Sequence, residues 1–365
     1  MWFFSIIKNM ILRPGKGKKV FVGVSGGVDS SVAALLLKLQ GYDVTGVFIR
    51  TWQPEWIECT WRDERRDAMR VCAYLEIPFI ELDLEDTYKR GVVDYMIAEY
   101  RAGRTPNPDV MCNREVKFGG FLQYAIDQGA DYIATGHYAR NGELPGTLLK
   151  GVDYSKDQSY FLWTLTKEQL AHSLFPVGGF YKSQIRSIAR FFNLPTAVKK
   201  DSQGICFIGE IDMKDFLKHY ITEQPGDVLD ESGKVIGNHQ GALFYTLGER
   251  HGFTITLKGT DDKPWYVTAK DISHNTITVS HNPHHHKPHD RYSINLRDVV
   301  FRDDIQKDCT YTAQIRYHGV YYPCEVHSND FGAQIVFSEN SEPVAPGQSI
   351  VIYDHNICIG GGIVF

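Results

Sequence analysis

Residues 20–31 read VFVGVSGGVDSS. The opening residues are an apolar run of strand length. After them comes SSVAALLLKLQG, a helix predicted to open at Ser30 or Ser31 and to stop at Gly41. Gly26 and Gly27, between the two, let the backbone approach an anion closely. Ser25, Ser30 and the first-turn amides supply hydrogen-bond donors for it. The glycines match neither G-x-x-x-x-G-K-[ST] nor G-x-G-x-x-G, so this is neither of the commonest nucleotide loops.

Outward from this stretch the pattern alternates strand and helix from Lys19 to about Ile208. YDVTGVFI (42–49), IPFIELDL (77–84) and DYIATG (131–136) read as strands. RDERRDAMRVCAYLE (62–76) reads as an amphipathic helix, with further helices near 89–101 and 114–128. Such alternation predicts an α/β fold with a parallel sheet covered on both faces and ligands beyond the carboxyl ends of its strands. After residue 209 the texture changes to hairpins, with ESGK and SHNT as turns in 225–237 and 264–280. HNPHHHKPHD (281–290) reads as a linker, and its histidines lack the carboxylate or cysteine frame of a functional metal site. From Tyr292 onward, short alternating strands predict a small barrel or sandwich. The expected domains are therefore 1–208, 209–283 and 284–365.

The 365 residues carry a formal net charge of −5, which argues against a basic nucleic-acid binder overall but leaves room for a local basic patch. Seven cysteines without a C-x-x-C pair exclude zinc-ribbon spacing and a secreted disulfide scaffold, and point to reduced thiols in the cytoplasm. At the start, Lys8 and Asn9 interrupt an apolar run and no small-residue cleavage site follows, so residues 1–15 read as an extension before the first strand. No run approaches bilayer-spanning length.

The loop string resembles the PP-loop, SGGxDS, of the ATP pyrophosphatases. That resemblance implies cleavage of ATP between its α and β phosphates, with Asp29 holding Mg²⁺ or orienting the loop. A pyrimidine carbonyl oxygen is a poor leaving group, but esterified to AMP it becomes one that sulfur displaces. Two cysteines sit in polar turns suited to such chemistry: Cys206 in DSQGICFIGE (201–210) and Cys112 in RTPNPDVMCNREVKFG (104–119). A helix beginning near Asn113 places Cys112 at its amino end, where the dipole favours the thiolate. If the two thiols meet, a disulfide between them expels a transferred sulfur.

GVSGGVDSS, TPNPDVMCNREVKF, ATGHYAR, KDQSYFL, DSQGICFIGE, YTLGER, IRYHG and APGQSIVIYD follow one another as in the tRNA-specific 2-thiouridylases. The chain resembles that family from about Lys19 to its end. The resemblance implies a PP-loop domain, a small central domain and a C-terminal β-barrel contacting tRNA. It implies that Gly23, Val24, Ser25, Gly26, Gly27, Val28, Asp29 and Ser30 hold ATP with Mg²⁺, with Ile49 against the adenine where the family often has methionine, and Gly136 beside it. Cys206 is implied as the persulfide carrier, Cys112 as its partner nucleophile and Asp109 as the acid/base group. Asn107, Pro108 and Asp109 would meet the target base. His137, Lys156, Asp157, Gln158, Arg316, Tyr317 and Gln348 would contact tRNA. The implied protein is a cytoplasmic monomer that converts the 2-oxygen of the wobble uridine to sulfur, releasing AMP and pyrophosphate. Its sulfur comes from a cysteine desulfurase or a sulfur-relay carrier. Two other classes compete. A PP-loop ligase or amidotransferase-type synthetase needs no thiols, and an RNA-binding module with a degenerate loop never splits ATP.

Overall fold

The structure, a computed structural model, describes residues 14–57, 61–200, 212–256, 263–282, 292–306, 309–329, 332–338, 342 and 344–365. The expected strand of the opening stretch is β1 (Lys19–Gly23), followed by β2 (Asp43–Arg50), β3 (Phe79–Asp83) and β4 (Tyr132–Ala134). An arm, β5 (Ala139–Asn141) and β6 (Leu148–Lys150), leaves the sheet before β7 (Ser173–Leu174) rejoins it. The order β3-β2-β1-β4-β7 is parallel throughout, as the alternating pattern predicts. The strand order reverses between β1 and β4, which places the crevice at the end of β1.

Alternation along β1 assigns its two faces. Val20 and Val22 pack with α1 (Val28–Leu39), α2 (Trp61–Tyr74) and α3 (Lys182–Phe191), while Phe21 packs with the helical segments between residues 85 and 127. α1 starts at Val28 rather than at Ser30. The Ser30 and Ser31 hydroxyls donate to the Gly27 carbonyl, at 3.2 and 2.7 Å, instead of capping amides, so both serines lie inside the helix.

α4 (Met213–Lys218) leads into a second sheet made of β8 (Gly226–Leu229), β9 (Val235–His239), β10 (Thr254–Ile255), β11 (Tyr266–Asp271) and β12 (Thr276–Ser280). Its two hairpins turn at the ESGK and SHNT segments. The remaining strands are β13 (Tyr292–Phe301), β14 (Tyr311–Gln314), β15 (Tyr321–Asn329), β16 (Gly332–Phe337), β17 (Ser349–Asp354) and β18 (Ile357–Val364). They follow the order β13-β16-β15-β14-β17-β18, and pairing of β13 with β18 closes a six-stranded barrel.

The arm was not predicted. β6 adds to β18 with Leu149 opposite Ile357 and Leu148 opposite Cys358, so the barrel is hydrogen-bonded to the α/β domain. Buried Arg302 reinforces the joint by donating to the carbonyls of Trp163 at 3.0 Å, Leu165 at 2.9 Å and Cys358.

A second junction lies at the end of Tyr95–Arg101. Buried Glu99 accepts two bonds from Arg104, at 2.6 and 2.7 Å, and one from Arg297 of β13 at 2.8 Å. The Arg104 hydrogen bonds lead in holding its carboxyl below the usual carboxylate range, against burial and with help from Arg297. Glu99→Gln should destabilise the protein by about 2–3 kcal/mol at neutral pH, less than a fully buried pair because both guanidinium groups keep some water. A depressed carboxylate stabilises above its unfolded value of 4.5 and loses that contribution as pH falls through the folded value. The gap in Tm between parent and variant should therefore close on acidification below 4.5, as calorimetry across pH will read.

Candidate active site

The loop after β1 forms an open cradle. Gly26 has φ +72°, and a Cβ there would lie 2.5 Å from the Glu64 carbonyl oxygen of α2. Gly27 is the N-cap of α1 and makes no side-chain cap, so the first-turn amides face the crevice with the positive end of the helix dipole behind them. The Ser25 amide reaches the Ser30 hydroxyl at 3.2 Å, and the Val24 amide bonds the Val47 carbonyl at 2.8 Å. First-turn helix amides without a side-chain cap suit a polyphosphate. Gly136, just beyond β4, closes the cradle from the side: a Cβ there would stand 2.8 Å from the Ser30 nitrogen. Ile49 lies buried near the end of β2, an apolar wall beside the loop.

Asp29 has partners that the sequence did not suggest. Lys182, the first residue of α3, reaches both its carboxylate oxygens at 2.8 Å, and the Tyr138 hydroxyl donates to one of them at 2.7 Å. The amide of Lys182 in turn donates to Asp153 at 2.9 Å. No group of three or more metal-ligating side chains occurs among the described residues.

The thiol segment departs from expectation. The helix opens at Pro108, capped by Asn107, whose side chain accepts from the Val110 amide at 3.3 Å. Cys112 is therefore not at a helix amino end; it lies one turn in, where Pro108–Met111 passes into a wider i→i+5 helix, Cys112–Phe121. The Asn-Pro pair won because asparagine caps and proline prefers the first helical position. The dipole argument for its thiolate weakens accordingly, since the effect fades beyond the first turn. Wide turns of this kind often mark functional sites. Phe121, at the end of this helix, lies under Gly23, and Phe118 packs 5.9 Å from the His137 ring. Cys112 is thus carried by the same layer that floors the phosphate loop. Cys206 lies outside the described residues, as do Cys59 and residues 283–290 of the histidine-rich stretch.

The barrel docks onto this segment. The Thr105 amide donates to the Pro346 carbonyl and its carbonyl accepts from the Gln348 side chain, both at 2.8 Å. Tyr160 bonds the Asn107 side chain and donates to the Ser349 carbonyl at 2.9 Å. The Tyr317 ring packs 4.4 Å from Phe161, and its hydroxyl, raised to about 12 by burial first, also feels Asp157 and Asp109. Asn107, Asp109, Cys112, Tyr317 and Gln348 are thereby gathered into one region, with Arg316 beside them and ion-paired to Glu342 at 3.3 Å.

Other expected contacts point inward. Asp157 is buried and accepts from the Gly151 and Ser159 amides; burial raises its pKa, with those bonds opposing. Gln158 accepts from the Tyr138 amide at 3.0 Å, and Lys156 is half-buried next to it. His137 is buried against Thr135, at 2.8 Å, and Phe118; burial, then Lys117, pushes its imidazole well below the ordinary value, so the ring is neutral.

Three family models match in succession: the tRNA methyl transferase HUP domain over residues 18–210, the tRNA methyl transferase PRC-barrel domain over 214–281 and the aminomethyltransferase beta-barrel domain over 291–364. The chain is 45% identical to the tRNA-specific 2-thiouridylase MnmA of Pseudomonas fluorescens (strain Pf0-1), covering 95% of this chain and 94% of the relative. The chain belongs to the tRNA-specific 2-thiouridylase family. Two further 2-thiouridylases, from Enterococcus faecalis (44% identity) and Shewanella pealeana (46%), align over 95% of this chain and 95% and 96% of their own. Membership of this 2-thiouridylase family agrees with the parallel sheet, the central sheet and the closed barrel. Among the described residues no helix is long and apolar enough to cross a membrane.

The crowding at Gly136 gives a test of the cradle. Gly136→Ala should push the first turn of α1 aside and weaken Mg²⁺·ATP binding by about tenfold or more, read by titration calorimetry, with the fold intact by circular dichroism.

Proposed function

We propose that the protein is an ATP-dependent tRNA 2-thiouridylase acting on the wobble uridine. Residues 1–208 would carry the chemistry, 209–283 would support it and 284–365 would hold tRNA. The observation that carries the proposal is the junction of an anion cradle with the Asn107–Asp109–Cys112 segment, to which the barrel presents Tyr317 and Gln348.

ATP would lie with its β and γ phosphates on the amides after Gly26. The uridine 2-oxygen attacks the α phosphorus, pyrophosphate leaves, and Asp109 takes the N3 proton as the adenylated base forms. Lys182, paired to Asp29 in the first turn of α1, would be the cation nearest to hand for the departing pyrophosphate. Amides already oriented around the cradle stabilise that charge with little reorganisation.

A persulfide on Cys206 supplies the sulfur. By one route Cys112 attacks the inner sulfur and expels hydrosulfide, which displaces AMP from C2. By the other, the outer sulfur attacks C2 directly and Cys112 then cleaves the sulfur–sulfur bond. Both routes end with a Cys112–Cys206 disulfide, 2-thiouridine and AMP, and an external thiol must reduce the disulfide before the next turn. The described anchors support convergence of the two thiols. Lys199, shortly before Cys206, pairs with Asp67 of α2 at 2.8 Å, and the neighbouring Glu64 carbonyl abuts Gly26. The sulfur donor would be a cysteine desulfurase or a relay carrier.

The test is nucleoside mass spectrometry of tRNA incubated with ATP, Mg²⁺ and a persulfide donor. The parent protein should form 2-thiouridine; Cys206→Ser and Cys112→Ser should form none while still releasing pyrophosphate when tRNA is added. Thiolation by Cys206→Ser would overturn the persulfide route and favour a synthetase-type reaction. Lys182→Met should lose pyrophosphate release as well, placing its defect before sulfur transfer.

A further inference from the structure

The central sheet has no role in the chemistry so far, yet one of its turns touches both the root of the Cys112 segment and the helix that follows the Cys206 stretch. The turn is 245–249, YTLGE, between β9 and β10. On one side the Thr246 hydroxyl meets the Thr105 hydroxyl at 3.1 Å, at the root of the segment that leads to Asn107, Asp109 and Cys112. On the other side Glu249 meets Lys214 of α4 at 2.5 Å. α4 begins directly after the stretch that contains Cys206, and Asp212 caps it by accepting from the Lys214 and Asp215 amides at 2.8 and 3.3 Å.

The turn is built to be stiff. The second carboxylate oxygen of Glu249 accepts from the Thr246 amide at 3.0 Å, so one side chain fixes both the turn and α4. The Lys214 ammonium also lies 4.2 Å over the Tyr245 ring, whose hydroxyl donates to the Gly252 carbonyl. From behind, Lys270 donates to the Tyr245 carbonyl at 2.9 Å, and Gly248 and Glu249 exchange two 2.8 Å backbone bonds with Val267 of β11. The far end of α4 is held separately, by the Arg101 guanidinium on the Tyr220 carbonyl at 2.9 Å.

We infer that Glu249 and Lys214 are positioning residues for sulfur transfer: they hold α4 in fixed register with the Thr105–Cys112 segment. Neither touches substrate. The two side chains are 28% and 25% exposed, so solvent partly screens the pair, and the geometry it sets accounts for it beyond its share of stability. The inference rests on the proposed use of Cys206 and Cys112 and assigns the central domain the task of keeping their supports aligned. Adenylation needs the phosphate cradle and the base pocket but not this register. Thiol exchange needs both segments, and reactions between two held groups fall steeply with small misplacement.

The experiment uses the full-length protein with tRNA and follows three signals for Lys214→Met, Glu249→Gln and the conservative Lys214→Arg. The first is tRNA-stimulated pyrophosphate release. The second is 2-thiouridine formation. The third is the rate at which oxidised glutathione drives a Cys112–Cys206 disulfide, read by peptide mapping without reductant. Lys214→Met and Glu249→Gln should release pyrophosphate at the parental rate while thiolation and disulfide formation each fall by about tenfold or more. Lys214→Arg should restore both. Parental rates of thiolation and disulfide formation in the first two variants would overturn the inference, as would an equal loss of pyrophosphate release that Lys214→Arg does not rescue. Cys206→Ser in parallel separates the two levels: if it still thiolates tRNA, the underlying sulfur route has failed rather than the role of the turn.

Discussion

The backbone of Thr105 is the point on which the arrangement of the site turns. Its amide and carbonyl are taken by Pro346 and Gln348 of the barrel, and its hydroxyl by Thr246 of the central sheet. One residue earlier, Arg104 joins Glu99 and Arg297. A surface loop normally satisfies its polar groups with water and stays mobile. Here those groups are spent on the other two domains, so the loop that leads to Cys112 inherits their rigidity. The parallel sheet's loop, the central sheet and the barrel thus meet at this one residue.

The same economy governs the residues around the nucleotide loop. Asp29, Tyr138, Lys182, Asp153 and Gln158 form a continuous set of polar contacts from the first turn of α1 to the 153–158 turn. Asp157 of that turn faces inward, and the Ser159 hydroxyl beside it approaches Tyr353 of β17 at 3.2 Å. Charge at the phosphates and shape at the barrel therefore share one framework. Asp157 and Gln158 accept from backbone amides and so hold this framework.

Local patterns made the strands of the parallel sheet, the phosphate loop, both central hairpins and the strand-rich character of the C-terminal region legible in the sequence, because each depends on neighbours in the chain. Residues such as Val20 and Phe21 announce their faces by alternation alone. What stayed hidden is non-local. Leu149 finds Ile357 across most of the chain, Lys182 finds Asp29, and Thr246 finds Thr105; no periodicity encodes such pairs. The start of the helix before Cys112 was misread for a local reason: the asparagine cap and the proline at the first turn outweighed the polar look of the stretch. The serines after Gly27 misled in the same way, since their hydroxyls serve a carbonyl and not the amides.

The arm of β5 and β6 has a bearing on how the protein comes into being. A ribosome makes β6 long before β18, so the emerging α/β domain holds out an unpaired strand edge while the rest is translated. Such edges invite pairing with other chains. With only three residues in each strand, the arm offers a short template, and the newborn polypeptide is correspondingly less apt to aggregate before its barrel arrives to cover the edge.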